Sequence, residues 1–161
     1  MRLWRIATAT RSYGADDLSG IGASKRAGRW NADGEKVLYC ATTVSLAVLE
    51  TAAHIDTGGL PMNRYIVAIE VPDKAWAARE TLDVSALDPT WDAIPPGLVS
   101  VEAGSAWLRS GRSSVLLVPS VIVPEEFAVL VNPSHPDVAA MRATVVRKFE
   151  YDTLFRPPTP T

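Results

Sequence analysis

Glu50 lies inside the apolar run VSLAVLETAAH (44–54), between Leu49 and Ala52-Ala53. On a helix, its neighbours three and four residues back are Ala47 and Leu46, both apolar. A carboxylate there is either a surface group at the edge of the apolar face or a partly desolvated acid held by a rigid helix. Arg29 stands in Gly28-Arg29-Trp30-Asn31. An arginine beside a large aromatic suits a planar or phosphorylated ligand, although most loop arginines are simply solvated. Tyr39 precedes the helix that bears Glu50 and alternates with Leu38 and Cys40. It is either a core tyrosine with a satisfied hydroxyl or a ring offered to a ligand. Ser120 sits between VLLVP and VIVP, where a hydrogen-bonding role fits better than a nucleophilic one. There is no GxSxG, and the only histidines are His54 and His135. Asn132 opens the cluster NPSHP (132–136), a turn signal by default. Cys40 with His54 could make a thiol and a base, but a strand cysteine flanked by Tyr39 and Ala41 reads as a small core residue.

The elements that must position these residues are short. Arg2 to Ala7 reads as a first strand. Thr8 to Gly34 is a polar, glycine-containing stretch with the basic group Lys25, Arg26 and Arg29. Loops of that length are usually functional or disordered. Lys36 to Ala41 predicts a short buried strand. Thr42 and Thr43 then offer N-cap oxygens to a helix over 44–54, closed by Thr57-Gly58-Gly59. Arg64 to Val71 predicts a strand with Tyr65, Val67, Ile69 and Val71 on one face. Residues 88–104 are irregular and proline-punctuated, with a short helix expected over 105–110. Val115–Val118 and Phe127–Val131 read as buried strands. A helical turn or two is expected over 137–142, and a last strand over 145–151. Six or seven strands that do not alternate regularly with two or three helices favour α+β over a doubly wound sheet. Neither GxGxxG after a strand nor GxxxxGK[ST] occurs, so dinucleotide-fold and P-loop chemistry are unsupported.

Composition narrows the class further. The 161 residues suggest one domain. With 16 basic and 18 acidic residues the net charge is −2. A general nucleic-acid coat is excluded and a local basic pocket is not. One cysteine excludes an internal disulfide framework and a multi-cysteine zinc site, and the reducing cytoplasm is the expected compartment. No apolar run approaches the roughly 18 residues of a membrane span. MRLWRIATATRS lacks the apolar core of a signal peptide.

Taken together, Trp4-Arg5-Ile6, Gly28-Arg29-Trp30-Asn31, Gly34, Val37, Tyr39, Ala47 through Glu50, Val118-Pro119-Ser120 and Asn132-Pro133 with His135-Pro136 resemble the RES family. The resemblance runs from Leu3 to about Arg147. It implies an ADP-ribosyltransferase-like single domain with mixed or antiparallel sheets over residues 1–155, followed by a flexible proline-rich tail at 156–161. It implies a bacterial toxin that consumes NAD+ as substrate, by hydrolysis or phosphorolysis, or that transfers ADP-ribose to a protein. It implies no cofactor beyond NAD+, no metal, and no direct nucleic-acid or membrane partner. The expected partner is a helix-turn-helix antitoxin of the Xre type that covers the site. The family's arginine, tyrosine, glutamate and serine map onto Arg29, Tyr39, Glu50 and Ser120. Breaking the nicotinamide–ribose bond develops positive charge on the sugar, which a carboxylate can stabilise. Glu50 fits that part. Arg29 can pair with the pyrophosphate or orient the ribose, Tyr39 can stack or donate, and Ser120 can bond ribose or orient Glu50. Arg5 and Asn132 are further expected ligand contacts. The competing class is a non-catalytic nucleotide- or protein-binding module.

Overall fold

β1 (Arg2–Thr8) alternates between two buried environments, and this sets the architecture. Leu3 and Ala7 face one core cluster. Trp4 and Ile6 face another, beneath a helix. The computed structural model describes residues 1–53 and 62–151. Within them β2 (Leu38–Ala41), β3 (Arg64–Glu70), β4 (Glu80–Thr81), β5 (Val115–Pro119), β6 (Phe127–Val131) and β7 (Arg142–Phe149) join β1 in one sheet, in the order β4-β5-β6-β2-β1-β3-β7. The β4–β5 pair is parallel and all the others are antiparallel. The class is α+β, as the strand pattern implies.

Four α-helices accompany the sheet: α1 (Ile21–Ser24), α2 (Val44–Ala52), α3 (Asp73–Ala77) and α4 (Leu98–Ser110). Helix α2 packs Val44, Val48 and Ala52 against Ile66, Phe149 and Tyr151. Its first turn is capped by Thr43, whose hydroxyl accepts from the Leu46 N–H at 3.1 Å. Helix α4 lies on the same face, where Trp107 meets Trp30, Leu116, Val118 and Leu130. The opposite face holds Leu38, Val67, Ile69, Val115, Val129 and Val131.

The structure departs from the sequence reading at several places. Helix α4 begins at Leu98, not at residue 105. Its glycine and β-branched residues weaken the helical signal, yet Gly104 is what the packing demands. A Cβ there would collide with the Trp30 carbonyl oxygen and come within 2.6 Å of its carbonyl carbon. Strand β3 is buried on both faces, with Ile66 and Ala68 as covered as Val67 and Ile69, because β1 and β7 flank it and α2 covers the second face. The polar stretch after β1 contains one helical turn, α1. Helix α3 and the two-residue β4 were not expected, being too short to carry a period. His54, Thr57-Gly58-Gly59 and the tail at 156–161 lie outside the described residues.

Gly104→Ala should therefore destabilise the fold by about 1–3 kcal/mol, the usual range for overpacking. Urea denaturation checks this, and an unchanged midpoint would contradict the close α4–Trp30 contact.

Candidate active site

Strands β1 and β2 are joined by a single antiparallel pair, Trp4 with Ala41. Beyond it they part. The diverging segments line a cleft of about 380 Å³, with Arg5, Ile6 and Thr8 on one side and Val37 and Tyr39 on the other. That volume falls in the range of small-molecule sites. Alternation places Arg5 on the same side of β1 as Leu3 and Ala7. It reaches the cleft because the strands have separated, and it also borders a side cavity of about 50 Å³. Helix α2 supplies Ala47, Glu50 and Thr51 to the wall, residues at helical spacing on one face.

Glu50 is half-buried. The Ser120 hydroxyl donates to its Oε1 at 2.6 Å. Ser120 is only 2% exposed, and its oxygen accepts from the N–H groups of Ile122 (3.2 Å) and Val123 (3.0 Å). A hydroxyl has one proton and two lone pairs. With both lone pairs engaged by the turn after β5, the proton is committed to Glu50. Ser120 thus fixes the carboxylate from behind and is not itself among the residues lining the cleft.

Arg29 enters from the loop. Its Nη1 donates to the carbonyls of Trp91 (3.0 Å) and Ala93 (3.1 Å). Among the described residues, its Nε and Nη2 make no hydrogen bond to the protein. Burial lowers its pKa, while Asp92 first, then Glu50 and Tyr39, favour the charged form; a guanidinium stays a cation regardless. Tyr39 donates to Asn31 Oδ1 at 2.7 Å and accepts from the Trp30 N–H at 3.1 Å. Burial pushes its phenol above the ordinary tyrosine range, opposed by the Trp30 N–H and the Arg29 charge. Its hydroxyl is therefore a neutral fastener of the Arg29 loop, and its ring forms cleft wall.

Asn31 is the residue that sequence reasoning passed over. It is fully buried. Its Nδ2 donates to the carbonyls of Ala23 (3.2 Å) and Ala32 (3.0 Å), and its Oδ1 accepts from Gly28 N–H (3.1 Å) as well as Tyr39. Gly28 has no room for a side chain: a Cβ would sit 2.6 Å from the Tyr39 hydroxyl and 2.7 Å from Asn31 Oδ1. The available signal was a polar residue directly after a tryptophan in a string already singled out. Trp30, expected beside the ligand, lines the cleft but is mostly core, 3% exposed and stacked on Trp91 at 6.1 Å.

Arg5 is incompletely satisfied. Its Nη1 reaches the Asp17 carbonyl at 3.5 Å, and its buried Nε has no partner among the described residues. Arg26 is exposed at the cleft wall. Arg5, Arg26 and Arg29 face one lining carboxylate, Glu50, so the cleft is positive although the chain is slightly acidic. The structure does not bring Asn132 to this cleft. Its side chain donates to the Leu108 carbonyl near the end of α4 and accepts from the Ser134 N–H. Cys40 borders the cleft, but burial raises its thiol to about 11, which leaves it a poor nucleophile. His135 caps the following helical turn through Nδ1. Among the described residues no helix is long and apolar enough to cross a membrane, and no cluster of three histidine, cysteine or acidic side chains could hold a metal.

The family model for the RES domain matches residues 2–153. The chain belongs to the RES domain family. A protein of Sphingobium sp. (strain YBL2) named Prs ADP-ribosylating toxin is 53% identical to this RES domain over 149 residues, covering 92% of each chain. A protein named Toxin Res from Photorhabdus laumondii is 37% identical over 148 residues, covering 91% of each. Another Toxin Res, from Yersinia enterocolitica, is 38% identical over 136 residues, covering 84% of this chain and 86% of its own.

In this RES domain, Tyr39→Phe removes the hydroxyl that pairs both Trp30 N–H and Asn31 Oδ1. It should cost about 1–3 kcal/mol, the penalty for leaving buried polar groups unpaired. Denaturant titration checks this, and wild-type stability in the variant would show that the hydroxyl does not hold the loop.

Proposed function

We propose that this chain is a toxin that cleaves the nicotinamide–ribose bond of NAD+ and transfers the ADP-ribose to a protein. The observation that carries the reading is the Ser120–Glu50 hydrogen bond, which aims one preset carboxylate into a cleft lined by three arginines. As the bond breaks, nicotinamide leaves as a neutral base and the sugar gains oxocarbenium character. Glu50 orients a ribose hydroxyl and offsets that charge. The acceptor's nucleophile bonds to the anomeric carbon as the bond to nicotinamide breaks, and its proton passes to solvent. Arg29, held by two backbone carbonyls, keeps its remaining N–H groups for ribose or phosphate. Arg5 and Arg26 suit the pyrophosphate, whose charge would also satisfy the buried Arg5 Nε. No cofactor beyond NAD+ enters this scheme.

The name of the 53% identical relative favours a protein acceptor. Glu50 and Arg29 are half-buried rather than sealed, which favours slower transfer to water or phosphate, and hence NAD+ depletion, as a second outcome. An enzyme that consumes NAD+ would harm the cell that makes it. A cognate helix-turn-helix antitoxin covering the Arg29 cleft in the cytoplasm is the partner that fits.

Purified protein should release nicotinamide from NAD+. Glu50→Gln should lower kcat about a hundredfold or more with the fold intact. Ser120→Ala should lower kcat about ten- to hundredfold while KM for NAD+ changes little, the mark of lost positioning. Wild-type protein that leaves NAD+ intact, or a fully active Glu50→Gln variant, would overturn the reading. Labelled NAD+ fixed to a protein band separates transfer from hydrolysis.

A further inference from the structure

Among the described residues Arg29 makes two hydrogen bonds, both from Nη1, to the carbonyls of Trp91 and Ala93. Its aim therefore depends on a segment 62 and 64 positions further along the chain. That segment is a tight 3-10 turn, Pro89–Asp92. The Asp88 carboxylate caps it, accepting from the Thr90 N–H at 2.9 Å and from the Thr90 hydroxyl at 2.6 Å. The N–H groups of Trp91 and Ala93 close it onto the carbonyls of Asp88 and Thr90. Carbonyls at the end of a helical turn have no intrahelical donor, and here Arg29 takes them. Burial lowers the pKa of Arg29, and Asp92, between the two acceptors in sequence, is the foremost charge opposing that.

Pro89, Thr90 and Asp92 are exposed, and Trp91 is the member of the turn that enters the core. Its ring stacks on Trp30, the residue after Arg29, with centroids 6.1 Å apart and planes 27° apart. Trp30 packs in turn with Trp107, Leu116, Val118 and Leu130. One residue thus grips the Arg29-Trp30 pair twice, by its ring on Trp30 and by its carbonyl on the guanidinium. A long side chain loses rotamer freedom when it binds a ligand, and one held beforehand loses less. We propose that Trp91 is a positioning residue: its ring seats the 88–93 turn on Trp30, and the turn's carbonyls preset Arg29 for the ribose or pyrophosphate of NAD+. Trp91 is not among the residues lining the cleft, so it acts through Arg29. This rests on the reading above that Arg29 binds NAD+ and adds what holds it ready. Ser120 presets the carboxylate and acts on kcat, whereas Trp91 presets the cation and acts on affinity.

The test measures NAD+ affinity by calorimetry in the full chain carrying Glu50→Gln, which suppresses turnover. Trp91→Ala should raise Kd about fivefold or more, and Trp91→Phe, which keeps a flat ring on Trp30, should stay within about twofold. Should Trp91→Ala not fold, Trp91→Leu keeps the apolar fill without the flat contact and carries the same expectation. In protein that also carries Arg29→Ala, Trp91→Ala should change Kd by less than about twofold, because the residue it positions is gone. In the active enzyme Trp91→Ala should raise KM for NAD+ by about fivefold or more while kcat stays within about threefold. Unchanged affinity in Trp91→Ala overturns the proposal and leaves the functional reading in place. The same loss with and without the Arg29 side chain also overturns it, since a ring that merely supports the fold would act in both. Folded Glu50→Gln protein that binds no NAD+ overturns the functional reading, and this role with it.

Discussion

The single pair between Trp4 and Ala41 is the constraint on which the site depends. Elsewhere the sheet is continuous: β1 pairs with β3 along seven residues, and β2 with β6 along four. At β1 and β2 the ladder ends after one step, and the space it leaves becomes the cleft. Had the strands stayed paired, Tyr39 would face a closed sheet and Arg5 would be confined to the far side. Helices α2 and α4 cover the same face on either side of this gap. Each can therefore send residues or contacts to its edge without crossing the core.

Around that gap the fold holds the proposed reactive groups by their far ends. Ser120 commits its proton to Glu50 because its lone pairs are occupied by the turn that follows β5. Arg29 gives one nitrogen to two carbonyls and keeps the others. Tyr39 and Asn31 tie the arginine loop to β2, and Gly104 lets α4 close on the backbone of Trp30. These contacts fix positions before any ligand arrives. Geometry set in advance is what electrostatic stabilisation of a charged transition state requires.

Much of this was legible in the residues. The apolar run around Glu50 and the threonine before it predicted α2 and its cap. The proximity of Arg29, Tyr39, Glu50 and Ser120 followed from the family pattern, and the structure gathers all four in one neighbourhood. What the sequence hid was mostly long-range. Asn31 is a hub because its bonds reach Ala23 and Tyr39, and no local period shows that. The N-terminal half of α4 was obscured because the glycine that weakens helical propensity is the residue its packing needs. Trp30 lines the cleft, but that it is also core depends on Trp91 and Trp107, 61 and 77 positions further along the chain. Asn132 was singled out as a polar residue near a turn and serves the end of α4 instead.

The central claim is that NAD+ lies in the gap between β1 and β2 with its nicotinamide ribose at Glu50. A crystal structure of the Glu50→Gln protein with NAD+ tests it most directly. The account predicts a ribose hydroxyl within hydrogen-bond distance of residue 50 and the pyrophosphate on Arg5 and Arg26. NAD+ bound outside the cleft, or with its ribose turned away from residue 50, would contradict it.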